Sequence, residues 1–341
     1  MKKNKMILSV ICVILLLVSA FSYTASALVI NDGDFGYEMN AYTKEMTLVQ
    51  YNGKDTIVTI PGYYSQYPVT AINSSALSGN AAVQEINVPT TMKKIGNKAF
   101  SNCTALSAVR FPSFVSTVGE QVCLNCTSLQ SAFVDAPIET LPAYSFSGCT
   151  SLMDVQLSSS VTAIGAYAFQ DCNSLTNINF LQQIDSIGRH AFDGIGIEEL
   201  TFPDSICEIP DYVFANCSKL SDVTILDNVT FISPTAFAND NITIHCYYNS
   251  YAYQYALENS IPYVLLDNVL LGDANGDGAV NINDVTTIQR YLAELETIEG
   301  IYLRAADVNQ DGTVDIADAT AIQMYLAEYE MDYPIGDVMT Q

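Results

Sequence analysis

The chain has 341 residues, 49% of them apolar and 15% charged, and its 37 acidic against 13 basic side chains give a formal charge of −24. That balance argues against nucleic acid or anionic lipid as partner, since both would be repelled, and it suits a protein that binds cations. The apolar content is too high for a disordered acidic tail, and the length allows two domains or one elongated one.

The first 27 residues read as an export signal. Lys2, Lys3 and Lys5 precede an apolar run from Met6 to Ala20, and Ala25-Ser26-Ala27 supplies small residues at cleavage spacing, so Leu28 is expected to begin the mature protein. A membrane anchor is the competing reading, but the run is short of a span and a cleavage site follows it. Cys12 follows Ile11 inside the run, which does not suit a lipoprotein signal. No later hydrophobic segment is long enough to span, so no membrane insertion is expected after cleavage. Loss of the three lysines leaves a charge of −27.

Residues 28–71 contain the alternating segments of FGYEMNAYTKEMTLVQYNG, which predict a hairpin, and TIVTIPGYY leads on into a repeated region. From Ile72 the chain realigns on itself at Ile95, Val118, Leu141, Ile164, Ile187, Ile209 and Ile232, in steps of 23 residues with one step of 22. Five positions after each start lies a large apolar column: Leu77, Phe100, Cys123, Phe146, Phe169, Phe192, Phe214 and Phe237. Further columns hold Cys103, Cys126, Cys149, Cys172 and Cys217, then Val83, Leu106, Leu129, Leu152, Leu175 and Leu220. Alternating stretches such as EINVP, AVRFP and DVTIL supply one strand per repeat. A unit this short cannot bury its apolar side alone, so neighbours must stack and turn each column into a ladder.

IGNKAFSNCTALSAVRFP (95–112) and IGAYAFQDCNSLTNINF (164–180) resemble the BspA-like leucine-rich repeats of bacteria. The resemblance covers about residues 35–266. It implies an α+β leucine-rich-repeat solenoid, and a surface or secreted interaction protein whose protein or glycan ligand is open. Two units depart from the pattern. The one at Val118 has Cys123 for Phe, and the one at Ile187 has lost a residue and its Cys, leaving GIGIEEL; both are expected to disturb the stack. Repeats occupy 72–244. Residues 245–267 then predict strand, Tyr-rich helix, strand, with Tyr251, Tyr255 and Tyr247 covering the last core layer; carbohydrate binding is the other reading of that stripe.

Equivalent cysteines in adjacent solenoid strands lie about 5 Å apart, so Cys103–Cys126 and Cys149–Cys172 disulfides are geometrically conceivable. Buried free thiols are the reading preferred here, and metal binding is disfavoured because a column of equivalents does not converge tetrahedrally. His190 and His245 stand in no recognisable nucleophile–base pattern, and no His-Glu-x-x-His, Gly-x-Ser-x-Gly or phosphate loop is present. No catalysis is expected.

The last segment, 268–341, carries DANGDGAVNIND (273–284) and DVNQDGTVDIAD (307–318), 34 residues apart. In the first, EF-hand ligand positions fall on Asp273, Asn275, Asp277, the carbonyl of Ala279, Asn281 and Asp284, with Gly278 at the turn. In the second they fall on Asp307, Asn309, Asp311, the carbonyl of Thr313, Asp315 and Asp318, with Gly312 at the turn. Hard oxygen donors at alternating positions wrap one cation each, so two Ca2+ ions are expected. TTIQRYLAE and TAIQMYLAE follow the loops as helices, with Val285, Ile288, Tyr291, Leu292 and Leu295 on one apolar face and Ile322, Tyr325, Leu326 and Tyr329 on the other. Before the loops, NVLLG is too short for an entering helix and IYLRAA offers about one turn.

A loop with only an exit helix, duplicated, resembles a type I dockerin. That resemblance implies binding to a cohesin module of a scaffoldin, as in cellulosomes. It implies contacts from Ile282, Asn283, Gln289 and Arg290, or from Ile316, Ala317, Gln323 and Met324. Asn283 against Ala317 and Arg290 against Met324 break the internal symmetry, and the isoleucines depart from the hydroxyl pair common in that family. Tyr333-Pro334 is placed near Leu270-Leu271, closing the ends of the module. With so little core and so many converging carboxylates, this segment is expected to need calcium to fold. The leading reading is a secreted, non-catalytic binding protein with an attachment handle; a self-standing adhesin and an inhibitor or enzyme-associated regulator are the alternatives.

Overall fold

A computed structural model describes residues 28–267 and 269–339, so the expected export signal lies outside the described residues. Strands Ile30–Asp32, Phe35–Met39 and Met46–Tyr51 form an antiparallel meander. Its last strand pairs parallel with Tyr67–Ile72, which carries the cap into the first repeat. The expected hairpin is therefore present, extended by one strand.

Each repeat then contributes a two-residue strand at its start, and most add a longer one at the position predicted from alternation. Thr117-Val118 pairs with Lys94-Ile95, and Ser131–Val134 lies between Ala108–Phe111 and Asp154–Leu157, each one repeat away and all parallel. The two-residue ladder is interrupted between Val118 and Thr140 and again between Ile187 and Glu208, the two units whose sequence departs from the pattern. The longer strand of the Val118 unit is nonetheless regular. A further break was not legible: in the Ile164 unit a 3-10 turn, Asn179–Gln183, replaces the strand. The Asn177 side chain accepts from the Asn179 N–H at 2.9 Å, Leu181 enters the core, and Gln183 Nε2 donates to the Ser158 and Val161 carbonyls at 2.9 and 3.0 Å.

The columns run through one continuous core. Rings of Phe146, Phe169, Phe192, Phe214 and Phe237 stack with centroids 5.1–6.4 Å apart. Where Cys123 interrupts this column, Phe111 of the preceding strand is fully buried and stacks on Phe146 at 6.3 Å, filling the space a phenylalanine at 123 would take. All eight described cysteines are free, and seven are buried. On the surface Tyr144, Tyr167, His190 and Tyr212 stack at 4.5–4.7 Å in the left-handed turn that opens each repeat. The inner faces of this stack are spent on one another, so the ladder stiffens a corner.

The C-terminal cap is strand Thr243–Cys246, helix α1 (Tyr251–Glu258) and strand Tyr263–Leu265, in the order expected. Its inward face differs from expectation. Ala252, Tyr255 and Ala256 are buried, whereas Tyr251 and Tyr247 are 41% and 37% exposed, so only Tyr255 of the three closes the core. Ser250 fixes this rotation by capping α1, accepting from the Tyr253 N–H at 3.1 Å.

Beyond the cap come α2 (Ile282–Leu292), α3 (Gly300–Ala306) and α4 (Ile316–Leu326). A second small core gathers Val285 and Ile288 of α2, Ala306 of α3 and Ala319, Ala321 and Ile322 of α4. The predicted single turn at IYLRAA is a seven-residue helix, because Ile301, Ala305 and Ala306 find buried positions. The ends do close, through Ile335–Met339: the Leu271 N–H donates to Asp337, Gly336 to Leu271 and Met339 to Val269, at 2.8–3.0 Å. Tyr333 packs on the core of the module, and Pro334 lines one hollow with Leu271.

Candidate functional site

Each acidic loop ends in a helix whose start is fixed by the loop's own ligand-type residues. Asn281 caps α2 and Asp315 caps α4, and in both a carboxylate three residues on, Asp284 or Asp318, bonds back to the cap N–H at 2.8 Å. The same carboxylates reach across the loop. Asp284 accepts from the Asn275 N–H at 3.1 Å, and Asp318 from Val308 and Asn309 at 2.8 and 3.1 Å. Loop and exit helix are thus one unit, built around a buried carboxylate. That burial pushes both carboxyls above their ordinary range, against the pull of these N–H donors.

The remaining predicted donors of the first loop draw together. Asp273, almost wholly buried, accepts from Gly276, Asp277 and Gly278 at 2.9–3.1 Å. The Asn275 amide meets Asp277 Oδ2 at 3.0 Å, and the Asn281 amide lies 3.4 Å from that oxygen and 3.2 Å from the Ala279 carbonyl. In the second loop Asp307 accepts from Asp311 and Gly312 at 3.1 and 2.9 Å, and Asn309 from Asp311 at 2.9 Å. Asp311 accepts from the Thr313 N–H and hydroxyl at 3.0 and 2.7 Å, and Asp315 from Ala317 at 2.6 Å. Hydrogen bonds from Asn275 to Asp277 and from Thr313 to Asp311 hold those two exposed carboxyls below their ordinary range.

Among the described residues no three His, Cys, Asp or Glu side chains are already gathered as a metal-holding group. The donor chemistry nevertheless fits a hard cation. Every donor is an oxygen, main-chain N–H groups hold the side-chain ones, and a carbonyl or carboxylate oxygen has more than one lone pair to share. The residue at EF-hand position 12 is Asp in both loops, where an EF-hand usually carries a bidentate Glu, and this side chain reaches the cap N–H.

All eight residues expected to make docking contacts lie at the surface. Ile282 is 58% and Ile316 61% exposed, Met324 is exposed beside Gln323, Asn283 and Ala317 flank the caps, and Gln289 neighbours Arg290, whose Nε pairs with Glu296 at 2.8 Å. The expected inward faces of α2 and α4 are narrower than predicted. Val285, Ile288 and Ile322 are buried and Tyr291 half-buried, but Leu292, Leu295, Tyr325, Leu326 and Tyr329 are exposed. Both helices stop after eleven residues, so the last turn of apolar side chains overruns the small core. Those five residues extend the exposed apolar surface; the sequence signal for them was a surplus of apolar residues over what two short helices can bury.

On the solenoid, His190 Nδ1 meets Asp193 Oδ2 at 2.8 Å and His245 Nε2 meets Asp222 Oδ1 at 3.0 Å. The second pair includes Ser221, whose hydroxyl donates to Asp222 at 2.6 Å. Here the carboxylate stands between serine and imidazole, so the imidazole is not placed to take the serine proton. The bonds from Ser221 and His245 hold Asp222 below its ordinary range. A hollow of about 910 Å³ runs across the two-residue ladder past Asn73, Lys94, Asn97, Thr117, Glu120 and Thr140. Among the described residues no helix is long and apolar enough to cross a membrane.

Comparison with known families identifies two segments. Residues 70–166 and 139–261 match the BspA type leucine-rich repeat region in six copies, and 271–327 match the dockerin type I domain. Similar solved structures include a leucine-rich cell surface protein of Faecalibacterium prausnitzii, 24% identical, with 65% of this chain and 77% of that chain covered and a TM-score of 0.44. Another is a leucine-rich repeat protein of Bacteroides ovatus, 21% identical over 64% of this chain and 70% of that chain, also with a TM-score of 0.44. No curated protein matches the chain.

Proposed function

The chain belongs to the BspA-type leucine-rich-repeat family and carries a type I dockerin domain after its repeats, and from this we propose that it is a secreted, non-catalytic binding protein held on a scaffoldin by its dockerin. The solenoid is the effector, an interaction surface for a protein or glycan, and the dockerin is the handle that engages a cohesin. The proposed boundaries are an export signal at 1–27, a cap at 28–71, repeats at 72–244, a second cap at 245–267 and the dockerin at 268–341. The basic and apolar leader read in the sequence supports export.

The observation that carries this reading is the pair of loops, each with its helix cap and its buried position-12 carboxylate tied into one hydrogen-bonded unit. One Ca2+ per loop would be held by Asp273, Asn275, Asp277, Ala279, Asn281 and Asp284, and by Asp307, Asn309, Asp311, Thr313, Asp315 and Asp318. The ion supplies charge neutralisation that fixes the loop. The residues themselves set the starts of α2 and α4, and so leave Ile282 and Ile316 exposed, as Leu292, Met324 and Tyr325 also are. An exposed apolar surface of this kind, flanked by Gln289, Arg290 and Gln323, suits a protein partner.

Binding of the intact chain to a panel of cohesins, in calcium and in excess chelator, tests the proposal. Tight binding in calcium that chelator abolishes is the expected result. A calcium-folded chain that binds none of them would overturn the attachment role.

A further inference from the structure

The dockerin does not hang from the solenoid by a bare tether. A third apolar cluster spans the boundary: Val269, Ile301 and Ala305 are buried in it, with Tyr248 and Leu265 of the solenoid cap and Tyr302 and Met339 packed around them. Tyr248 and Tyr302 meet edge to face, with centroids 6.3 Å apart and planes at 85°. The cap side of this contact is anchored, because the Tyr248 N–H donates to Asp267 Oδ2 at 2.6 Å.

Two glycines show how closely the pieces approach. Gly300 opens α3 at φ +57°, and a Cβ there would fall 1.4 Å from the Tyr248 hydroxyl, so that hydroxyl occupies the volume of any side chain at 300. Gly276 lies inside the first calcium loop at φ +74°, and a Cβ there would fall 2.8 Å from the Tyr302 ring. Tyr302 therefore touches both the loop and the solenoid's Tyr248. The Gly276 N–H donates to Asp273, the first predicted ligand of that loop, at 2.9 Å.

We propose that the first calcium loop, Tyr302 and Tyr248 form a calcium-dependent coupling that fixes the angle between solenoid and dockerin. This rests on the calcium reading of the loops. Without a cation, Asp273, Asp277 and Asp284 repel one another, the turn at Gly276 loosens, and Tyr302 loses the wall that holds it against Tyr248. No equivalent contact from the second loop to the cap is found among the described residues, so the two calcium sites are inequivalent toward the solenoid. Linkage makes the coupling reciprocal: whatever calcium does to the junction, the junction does to calcium affinity at the first site.

The full chain tests this directly. A spin label on the naturally exposed Cys207 and a second at Ala327→Cys report the distance between modules, helical circular dichroism reports dockerin folding, and a calcium titration resolves the two sites. In calcium a single narrow distance distribution is expected, which chelator broadens. Tyr248→Ala should broaden it in saturating calcium with the helical signal unchanged, and weaken one of the two sites about five-fold while sparing the other. Gly300→Ala, which displaces the Tyr248 hydroxyl from the dockerin side, should do the same. A distribution that stays narrow in both variants, or two unaltered calcium affinities, overturns the proposal. If calcium does not bind at all, the calcium reading of the loops fails and the proposed coupling with it. The distances in Tyr248→Ala still report separately on whether that ring holds the modules together.

Discussion

The thiol of Cys172 donates to the main-chain carbonyl of Phe146, 26 residues earlier, at 3.2 Å. Cys103, Cys126, Cys149 and Cys217 do the same toward Leu77, Phe100, Cys123 and Phe192, at 3.1–3.3 Å. The column thus joins five of the repeats to the one before through a buried donor, which a disulfide between neighbours would remove. Burial pushes the Cys103 and Cys217 thiols up to about 12 and Cys172 higher still. Alkylation of the native protein, mapped by mass spectrometry, should mark Cys207 and leave the seven buried thiols until denaturant is added. Cys172→Ala should cost about 1–2 kcal/mol in denaturant titration.

The interrupted Phe column gives a less intuitive expectation. Cys123→Phe restores the repeat consensus, yet Phe111 already fills the neighbouring space against Phe146. The substitution should therefore lower stability by about 1–3 kcal/mol through overpacking. Phe111→Ala alone should cost about 3–5 kcal/mol, and adding Cys123→Phe to it should recover part of that loss. Urea midpoints of the two single variants and the double variant decide the matter.

These cases show what the sequence carried and what it did not. Repeats, caps and the duplicated acidic loops were legible because each is a pattern of residue types at fixed spacing, whereas the left-handed turn position held by Asn102, Asn125, Gly148, Asp171, Gly194, Asn216 and Asn239 emerges only with the backbone. Phe111 filling in for Cys123, the 3-10 turn at Asn179 and the outward rotation of Tyr251 depend on which neighbour reaches a space first, and spacing does not encode that. The family resemblance pointed to Ile282 and Ile316, which are exposed, whereas helical periodicity put Leu292 and Tyr325 on apolar faces that the core leaves uncovered. Helical periodicity gives a face, and only the length of the helix says how much of that face is covered.

Docking should depend on both exposed isoleucines. Each lies at loop position 10, aimed outward by the cap beside it. If one half of the module dominates, one of Ile282→Asp and Ile316→Asp should lose at least about thirty-fold in cohesin affinity by calorimetry and the other little. If both halves are used, each single variant should lose only a few-fold and the double variant nearly everything. Tyr329→Ala, an exposed apolar residue beyond the end of α4, should leave calcium affinity unchanged in either case.

The last repeat carries a charge where five of the others carry a thiol. Asp240 stands in the Cys column next to Cys217, and both its carboxyl oxygens are buried without a well-formed hydrogen bond, the Cys217 main chain being the nearest donor. Burial pushes this carboxyl up to about 7, Asp193 adding to the shift and the Cys217 main chain opposing it. A raised carboxyl pKa means that the folded state holds its proton more tightly than the unfolded chain does. Stability should then fall as pH rises from about 4, where the unfolded carboxyl begins to ionise, through about 7, where the folded one does. Asp240→Asn should remove that slope and gain about 1–3 kcal/mol at pH 7.5, with no gain at pH 4. Asp240→Cys should do likewise by restoring a neutral thiol to the column. Urea midpoints between pH 4 and 8 provide the check, and parallel curves for wild type and Asp240→Asn would mean that the carboxyl is solvated and titrates normally.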